Sequence, residues 1–163
     1  MPQNNFRIGF GYDIHRLKKG RRFVLGGIEI PHERGPQGHS DADVLIHAIC
    51  DALLGAAGLR DIGFYFPNTD PQYQNFASTG LLKQVCEQVA EKKFSIGNID
   101  TTIVLEAPKV NPHIPDMKTK LAEIMNISED NISVKATTNE RLGFIGKEKG
   151  IAAFAVALLY RSE

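Results

Sequence analysis

The sequence predicts an α+β fold in a single domain, and three observations lead there. Segments of helical and of strand periodicity are interspersed along the whole chain instead of being segregated into halves. No linker, internal repeat or low-complexity tract separates them. The composition is that of one ordinary globular unit: 163 residues, 42% hydrophobic and 23% charged. A chain of this length buries ~70% of the surface that its unfolded form exposes, so neither a disulfide nor a structural metal is needed for folding. Nineteen Lys+Arg balance nineteen Asp+Glu. That balance argues against a nucleic-acid or anionic-membrane partner, either of which normally selects a basic excess. Anionic substrates must therefore be met by local groups.

The elements follow in the order β-β-α-α-β-α-β-β. Phe6 to Ile14 reads as the first strand, and Lys18-Lys19-Gly20-Arg21-Arg22 as a solvated turn with no assigned function. Phe23 to Ile30, punctuated by Gly26 and Gly27, reads as a bulged strand or hairpin. Over 43–58 the residues Val44, Leu45, Ala48, Ile49, Ala52, Leu53 and Ala56 repeat at the helical period. Ser40 and Asp41 suit its start and Gly58 its end. The segment from Gly55 to Tyr73 reads as a long ordered loop, and long loops in compact domains are often functional. A second helix is predicted from Ser78 to Lys93, with Leu81, Leu82, Val85 and Val89 inward. A third follows Pro112, with Ile114, Met117, Leu121, Ile124 and Met125 at helical spacing. Ile99 to Glu106, Ile132 to Thr137 and Ile151 to Tyr160 read as strands. The last is apolar on both faces, which suits a central strand or a subunit contact.

Cys50 and Cys86 both fall in helical patterns, which suits buried thiols in a reducing compartment. The N-terminus carries no basic segment followed by an apolar one, and no apolar run approaches the ~20 residues of a spanning helix. A cytoplasmic protein is expected.

Three clusters carry chemistry. In Asp13-Ile14-His15 the two-residue strand period points Asp13 and His15 to one face and Ile14 into the core, which is a two-pronged claw for a divalent metal. By itself such a pattern more often marks a surface salt link. In His39-Ser40-Asp41-Ala42-Asp43-Val44-Leu45-Ile46-His47, His47 lies off the apolar stripe, with Asp43 and Asp51 one turn before and after it. Either carboxylate suits the second nitrogen of a metal-bound imidazole. Asp13, His15 and His47 then supply the three protein ligands of a catalytic tetrahedral site. In Lys135 to Lys147, hydroxyls at a strand end precede a glycine-punctuated turn that suits phosphate oxygens, with Glu140 able to hold a hard ion such as Mg2+. Ala107-Pro108-Lys109 ends another strand and is as readily a helix start as a binding turn.

Taken together, Gly11-Tyr12-Asp13-Ile14-His15, Gly26-Gly27-Ile28, Gly38-His39-Ser40-Asp41-Ala42-Asp43-Val44 to His47-Ala48 and Asp51 to Ala56 make a pattern. It continues in Asp61-Ile62-Gly63, Phe66-Pro67-Asn68-Thr69-Asp70, Ala107-Pro108-Lys109 and Ala136-Thr137-Thr138-Asn139-Glu140. From about Arg7 to Ala157 the chain resembles the 2-C-methyl-D-erythritol 2,4-cyclodiphosphate synthase family of the non-mevalonate isoprenoid pathway. The resemblance implies a mixed β-sheet covered by helices on one face, assembling into a homotrimer whose sheets face the three-fold axis, with active sites between subunits. It implies a lyase that closes the cyclic diphosphate of a small-molecule cytidine diphosphate substrate and releases CMP. Asp13, His15 and His47 would bind zinc, and Glu140 a second divalent ion, Mg2+ or Mn2+, between the phosphates. His39, Ser40, Asp61, Gly63 and Asn68 would line the methylerythritol phosphate pocket. Lys109, Ala136, Thr137 and Thr138 would form the cytidine and phosphate pocket of the neighbouring subunit, with Thr138 positioning phosphate and with Phe144 and Lys147 as further substrate contacts. The chain departs from the family pattern at Asn68, where an aspartate is usual. It departs again at Lys147 and Lys149, where arginine and glutamate are usual near the axis.

Two other readings compete. A zinc-stabilised binding module would use the same three ligands to hold the fold, against which stand the domain's size and a ligand count of three instead of four. A metal-dependent phosphohydrolase would need a water-activating base, a role open to Asp43 or Asp51.

Overall fold

Strand β1 runs from Phe6 to Lys19, five residues beyond its predicted end, and reaches far enough to carry Asp13 and His15 on its second half. The computed structural model describes residues 5–161. Within them a five-stranded sheet has the order β4-β1-β7-β5-β6, built from β4 (Arg34–Pro36), β7 (Gly150–Arg161), β5 (Phe94–Val104) and β6 (Ile132–Thr137) around β1. All neighbours are antiparallel except β5 and β6, which are parallel, so the sheet is mixed as expected. A parallel pair needs a crossover, and α4 (Ile114–Met125) supplies it. The strands β2 (Phe23–Leu25) and β3 (Ile28–Ile30) form a separate hairpin, turned by Gly26 and Gly27 with φ of 60° and 76°. Positive φ at both central positions is what a tight hairpin turn demands.

Helices α1 (Val44–Ala57), α3 (Ser78–Glu91) and α4 cover one face of the sheet. Helix α1 lies closest to β1: a Cβ built on Gly9 would stand 1.8 Å from the Ala52 carbonyl oxygen, and one on Gly11 1.9 Å from that of Ala48. Only glycine permits this approach, and it brings His47 on α1 to the level of Asp13 on β1. The cap of α1 is Asp43, not Ser40 or Asp41; its side chain accepts the Ile46 N–H, while Gly58 ends the helix in the left-handed region as expected.

The pairing of Asp13 and His15 on one face holds, but the faces are opposite to expectation. They point toward α1, and Ile14 lies on the far face, 37% exposed. That far face is uncovered along β1 and β7, where Phe6, Ile8, Phe10, Tyr12, Val156 and Tyr160 are exposed. Strand β7 is central and apolar on both faces, as its sequence suggested.

Other differences have local causes. β5 starts at Phe94, not Ile99, because a bulge between Ile96 and Asn98 breaks the alternation that reveals a strand. It ends at Val104 rather than Glu106. The 55–73 segment contains a one-turn helix α2 (Ile62–Tyr65) and a 3-10 turn (Pro71–Tyr73), and Gly143–Gly146 forms a further short helix, α5. Cys50 is buried, Cys86 half-buried, and both are free. No helix among the described residues is long and apolar enough to cross a membrane.

Candidate metal centre and cavity

Asp13 and His15 share a face of β1, His47 faces them from the first turn of α1, and three atoms converge. Asp13 Oδ2 lies 2.9 Å from His15 Nε2 and 3.0 Å from His47 Nδ1, and the two nitrogens are 3.4 Å apart. Donors bonded at 2.0–2.2 Å to a tetrahedral Zn2+ stand about 3.3 Å from one another, so these spacings fit a metal of that kind. Among the described residues this is the one group of three His, Cys, Asp or Glu able to hold an ion.

The electrostatics agree with the geometry. Burial pushes the Asp13 carboxyl up, but hydrogen bonds and charges of His15 and His47 outweigh it and hold the pKa at about 2. For His47, burial lowers the pKa, and the hydrogen bond and charge of Asp13, followed by the charges of Asp43 and Asp41, raise it above its ordinary value.

Each imidazole is held by its other nitrogen. His15 Nδ1 donates to the Gln37 carbonyl at 3.0 Å, which leaves Nε2 as the lone pair facing the centre. His47 Nε2 lies 2.9 Å from Ser78 Oγ, not against Asp43 or Asp51. Asp43, fully buried, instead accepts the N–H groups of Gly26, Gly27 and Ile46 at 2.9, 2.7 and 3.0 Å, tying the hairpin turn to the start of α1. Asp51 accepts the Ile62 N–H at 2.8 Å and tethers α2. Both oxygens of Asp43 and one of Asp51 are taken up by backbone, and neither residue lines the cavity described next.

The centre opens into a cavity of about 650 Å3, lined by Asp13, His15 and His47 together with the predicted His39, Ser40, Gly63 and Asn68. Asp61 stands beside it, with Oδ2 close to Gly63, at the start of α2. Sequence reasoning missed Phe66, Tyr73 and Gln74 as lining residues and Ser78 as the partner of His47. It also read Arg21 as part of a solvated turn, whereas its guanidinium donates to the carbonyls of Pro36 and Gly38 at 3.4 and 3.1 Å and braces the loop that carries Gln37 and His39.

The second predicted group, Lys109, Ala136, Thr137, Thr138, Glu140, Phe144 and Lys147, contributes nothing to this cavity's lining. Ala136, Thr137, Thr138 and Glu140 stand where β6 ends, beside the chain leaving β5, whose Leu105 N–H donates to the Thr137 carbonyl at 3.0 Å. Glu106 accepts the N–H groups of Asn139 and Arg141 at 3.1 and 3.2 Å. That clasps a turn in which Glu140 and Arg141 adopt φ of 50° and 62°, a conformation non-glycine residues rarely take and one that concentrates at functional sites. Glu140 Oε1 and Thr138 Oγ1 are 3.4 Å apart, and Lys109, Thr138 and Glu140 are all exposed.

The YgbB family matches residues 6–160. A curated 2-C-methyl-D-erythritol 2,4-cyclodiphosphate synthase of Cytophaga hutchinsonii is 57% identical over 95% of this chain and 98% of its own. The enzyme of that name from Porphyromonas gingivalis is 59% identical over 94% of this chain and 95% of its own. Among solved structures, IspF of Plasmodium falciparum in complex with CDP superimposes with a TM-score of 0.86 at 36% identity, covering 98% of this chain and 99% of that one.

Proposed function

The chain belongs to the YgbB family, and on that footing we propose that it converts 4-diphosphocytidyl-2-C-methyl-D-erythritol 2-phosphate to 2-C-methyl-D-erythritol 2,4-cyclodiphosphate and CMP, as a phosphorus–oxygen lyase of the non-mevalonate isoprenoid pathway. The observation that carries the reading is the convergence of Asp13 Oδ2, His15 Nε2 and His47 Nδ1 at a cavity that also holds His39, Ser40, Gly63 and Asn68.

Two nitrogens and one oxygen suit Zn2+, with one tetrahedral position left for a phosphate oxygen. Asp13, His15 and His47 would hold a divalent cation that would polarise the phosphoryl group and neutralise its charge, and Glu140 would hold Mg2+ or Mn2+ to the same end. The attacking atom is an oxygen of the substrate's own 2-phosphate, already anionic near neutral pH, so no residue has to remove a proton. That requirement agrees with a cavity whose nearby Asp43 and Asp51 are engaged by backbone. The residues position instead: His39, Ser40, Asp61, Gly63 and Asn68 hold the methylerythritol phosphate, and the Asn68 amide both donates and accepts. Lys109, Ala136, Thr137 and Thr138 hold the cytidine and its phosphates, with Phe144 and Lys147 beside them and Thr138 aligning the phosphate under attack. A P–O bond forms at the phosphorus distal to cytidine, the P–O bond to CMP breaks, and an eight-membered ring closes.

Because the cytidine group lies outside the cavity of its own chain, we assign it to the cavity of a neighbour in a homotrimer, with the bare face of the sheet turned to the three-fold axis. Both thiols are free, which suits the reducing cytoplasm where we place the reaction. The test is to incubate the protein with the cytidine diphosphate substrate, with and without chelator, and to follow products by phosphorus NMR. Cyclic diphosphate and CMP in equal amounts, lost on chelation, are expected; a linear phosphate product overturns the reading. A Glu140→Gln chain should keep its zinc while CMP release falls at least ~100-fold, the effect of about 3 kcal/mol of transition-state charge stabilisation.

A further inference from the structure

Behind His47 lies a short chain of polar groups that the reaction itself does not use. Asp41 accepts the Ser78 hydroxyl on Oδ1 and the Ser78 backbone N–H on Oδ2 at 3.1 Å, and its Oδ1 also faces the Asp43 N–H at 3.3 Å. Ser78 is fully buried at the start of α3 and has a second neighbour, His47 Nε2, at 2.9 Å. An ionised carboxylate accepts only, and a hydroxyl has a single proton. With that proton directed to Asp41, Ser78 Oγ can only accept from His47, which fixes the imidazole proton on Nε2. The lone pair is then on Nδ1, the atom that stands 3.0 Å from Asp13 Oδ2.

We propose that Asp41 and Ser78 are positioning residues that select the His47 tautomer able to bind a metal through Nδ1. The proposal deepens the zinc reading above and rests on it. It also accounts for a buried serine at a helix start whose side chain caps nothing: the cap residue of α3 is Ala77, which makes no side-chain hydrogen bond. For His15 the backbone carbonyl of Gln37 does the equivalent work. The two imidazoles are thus set by different means, one by main chain and one by a side-chain relay that substitution can reverse.

Reversal is the test. In Asp41→Asn two backbone N–H groups compete for the single amide oxygen; the Ser78 N–H, at 3.1 Å against 3.3 Å for that of Asp43, keeps it, and the amide NH2 then faces Ser78 Oγ. The hydroxyl then donates to His47 Nε2 and moves the imidazole proton to Nδ1, where it blocks the metal. Ser78→Ala removes the relay without reversing it. Zinc affinity, measured by competition with a chelating dye, should fall ~10–100-fold in Ser78→Ala and at least as far in Asp41→Asn, the scale of losing a partner behind a metal ligand. Nitrogen NMR of the metal-free Asp13→Ala protein, in which no carboxylate draws the proton to Nδ1, at alkaline pH where imidazoles are neutral, should show His47 protonated on Nε2, and adding Asp41→Asn should shift that proton to Nδ1. A merely structural role would move melting temperatures but not the tautomer. Wild-type affinity in both variants, or a His47 protonated on Nδ1 in the Asp13→Ala protein, overturns the proposal even if neither relay variant folds well enough for the remaining arms. Failure of wild-type protein to take up zinc would instead defeat the metal reading, while the tautomer measurement still decides the relay.

Discussion

Asp13 is a carboxylate with two imidazoles against one oxygen, and acid should find it. Its pKa in the folded chain is about 2, below the ordinary 3.8. A carboxyl lowered by folding stabilises the native state fully above its unfolded value and loses that contribution as pH falls through the folded one. The side chain is 26% exposed, so about 2 kcal/mol of stability in the metal-free protein should vanish between about pH 4 and pH 2. Urea midpoints of wild type and Asp13→Asn should converge over that window; parallel curves would contradict it. How much of this site was legible depended on whether sequence distance carried the information. Asp13 and His15 are two apart on a strand, so their shared face follows from the period alone. The side that face looks to does not: Ile14 is apolar and reads as core, yet it belongs to a bare face. The contact between His47 and Ser78 spans 31 residues. A serine opening a helix reads as a cap, and nothing nearby in sequence hints at an imidazole.

Helix α1 and strand β1 are joined by contact of main chain with main chain, which makes the centre sensitive to a single methyl group. In Gly11→Ala the new Cβ would fall 1.9 Å from the Ala48 carbonyl oxygen and 2.8 Å from the Ala52 nitrogen. Backbone cannot step aside as a side-chain tip can, so the helix must shift. The expected cost is about 3 kcal/mol or more, at the upper end for overpacked cores. Because Asp13 and His47 sit on the two elements being pushed apart, zinc should bind more weakly as well. Urea denaturation of the metal-free chain and zinc titration together check this, and an unchanged pair of values would contradict it. The long amphipathic elements were legible: α1, α3 and β6 lie within two residues of their predicted ends because their periodic residues are the buried ones. The first residues of β5 were hidden by a bulge. Strand β4 is three residues ending in Pro36 and has no periodicity to detect. Helix α2 is a single turn tethered through Asp51 from another element.

For the whole molecule, the sheet poses a problem that one chain does not solve. Its helix-covered face is dry, whereas on the other Phe10 is 63% exposed and Ile8 65%. Aromatic rings cluster there, with Tyr12 and Phe154 centroids 5.1 Å apart. Contiguous apolar surface of this kind marks a contact surface. Light scattering should give three times the 18.0 kDa chain mass. Phe10→Glu, outside the metal centre and its cavity, should lower that mass and abolish CMP release while leaving the helical signal in circular dichroism intact. A fully active monomer would refute the trimer.

That bare face also sets a clock. The inner core closes within one chain and does not wait for company, whereas the outer face dries only on encounter, at a rate that rises with the number of copies nearby. Between the two events a finished subunit carries a greasy flank. In the proposed assembly that interval is therefore longest when the protein is scarce, and abundance shortens it.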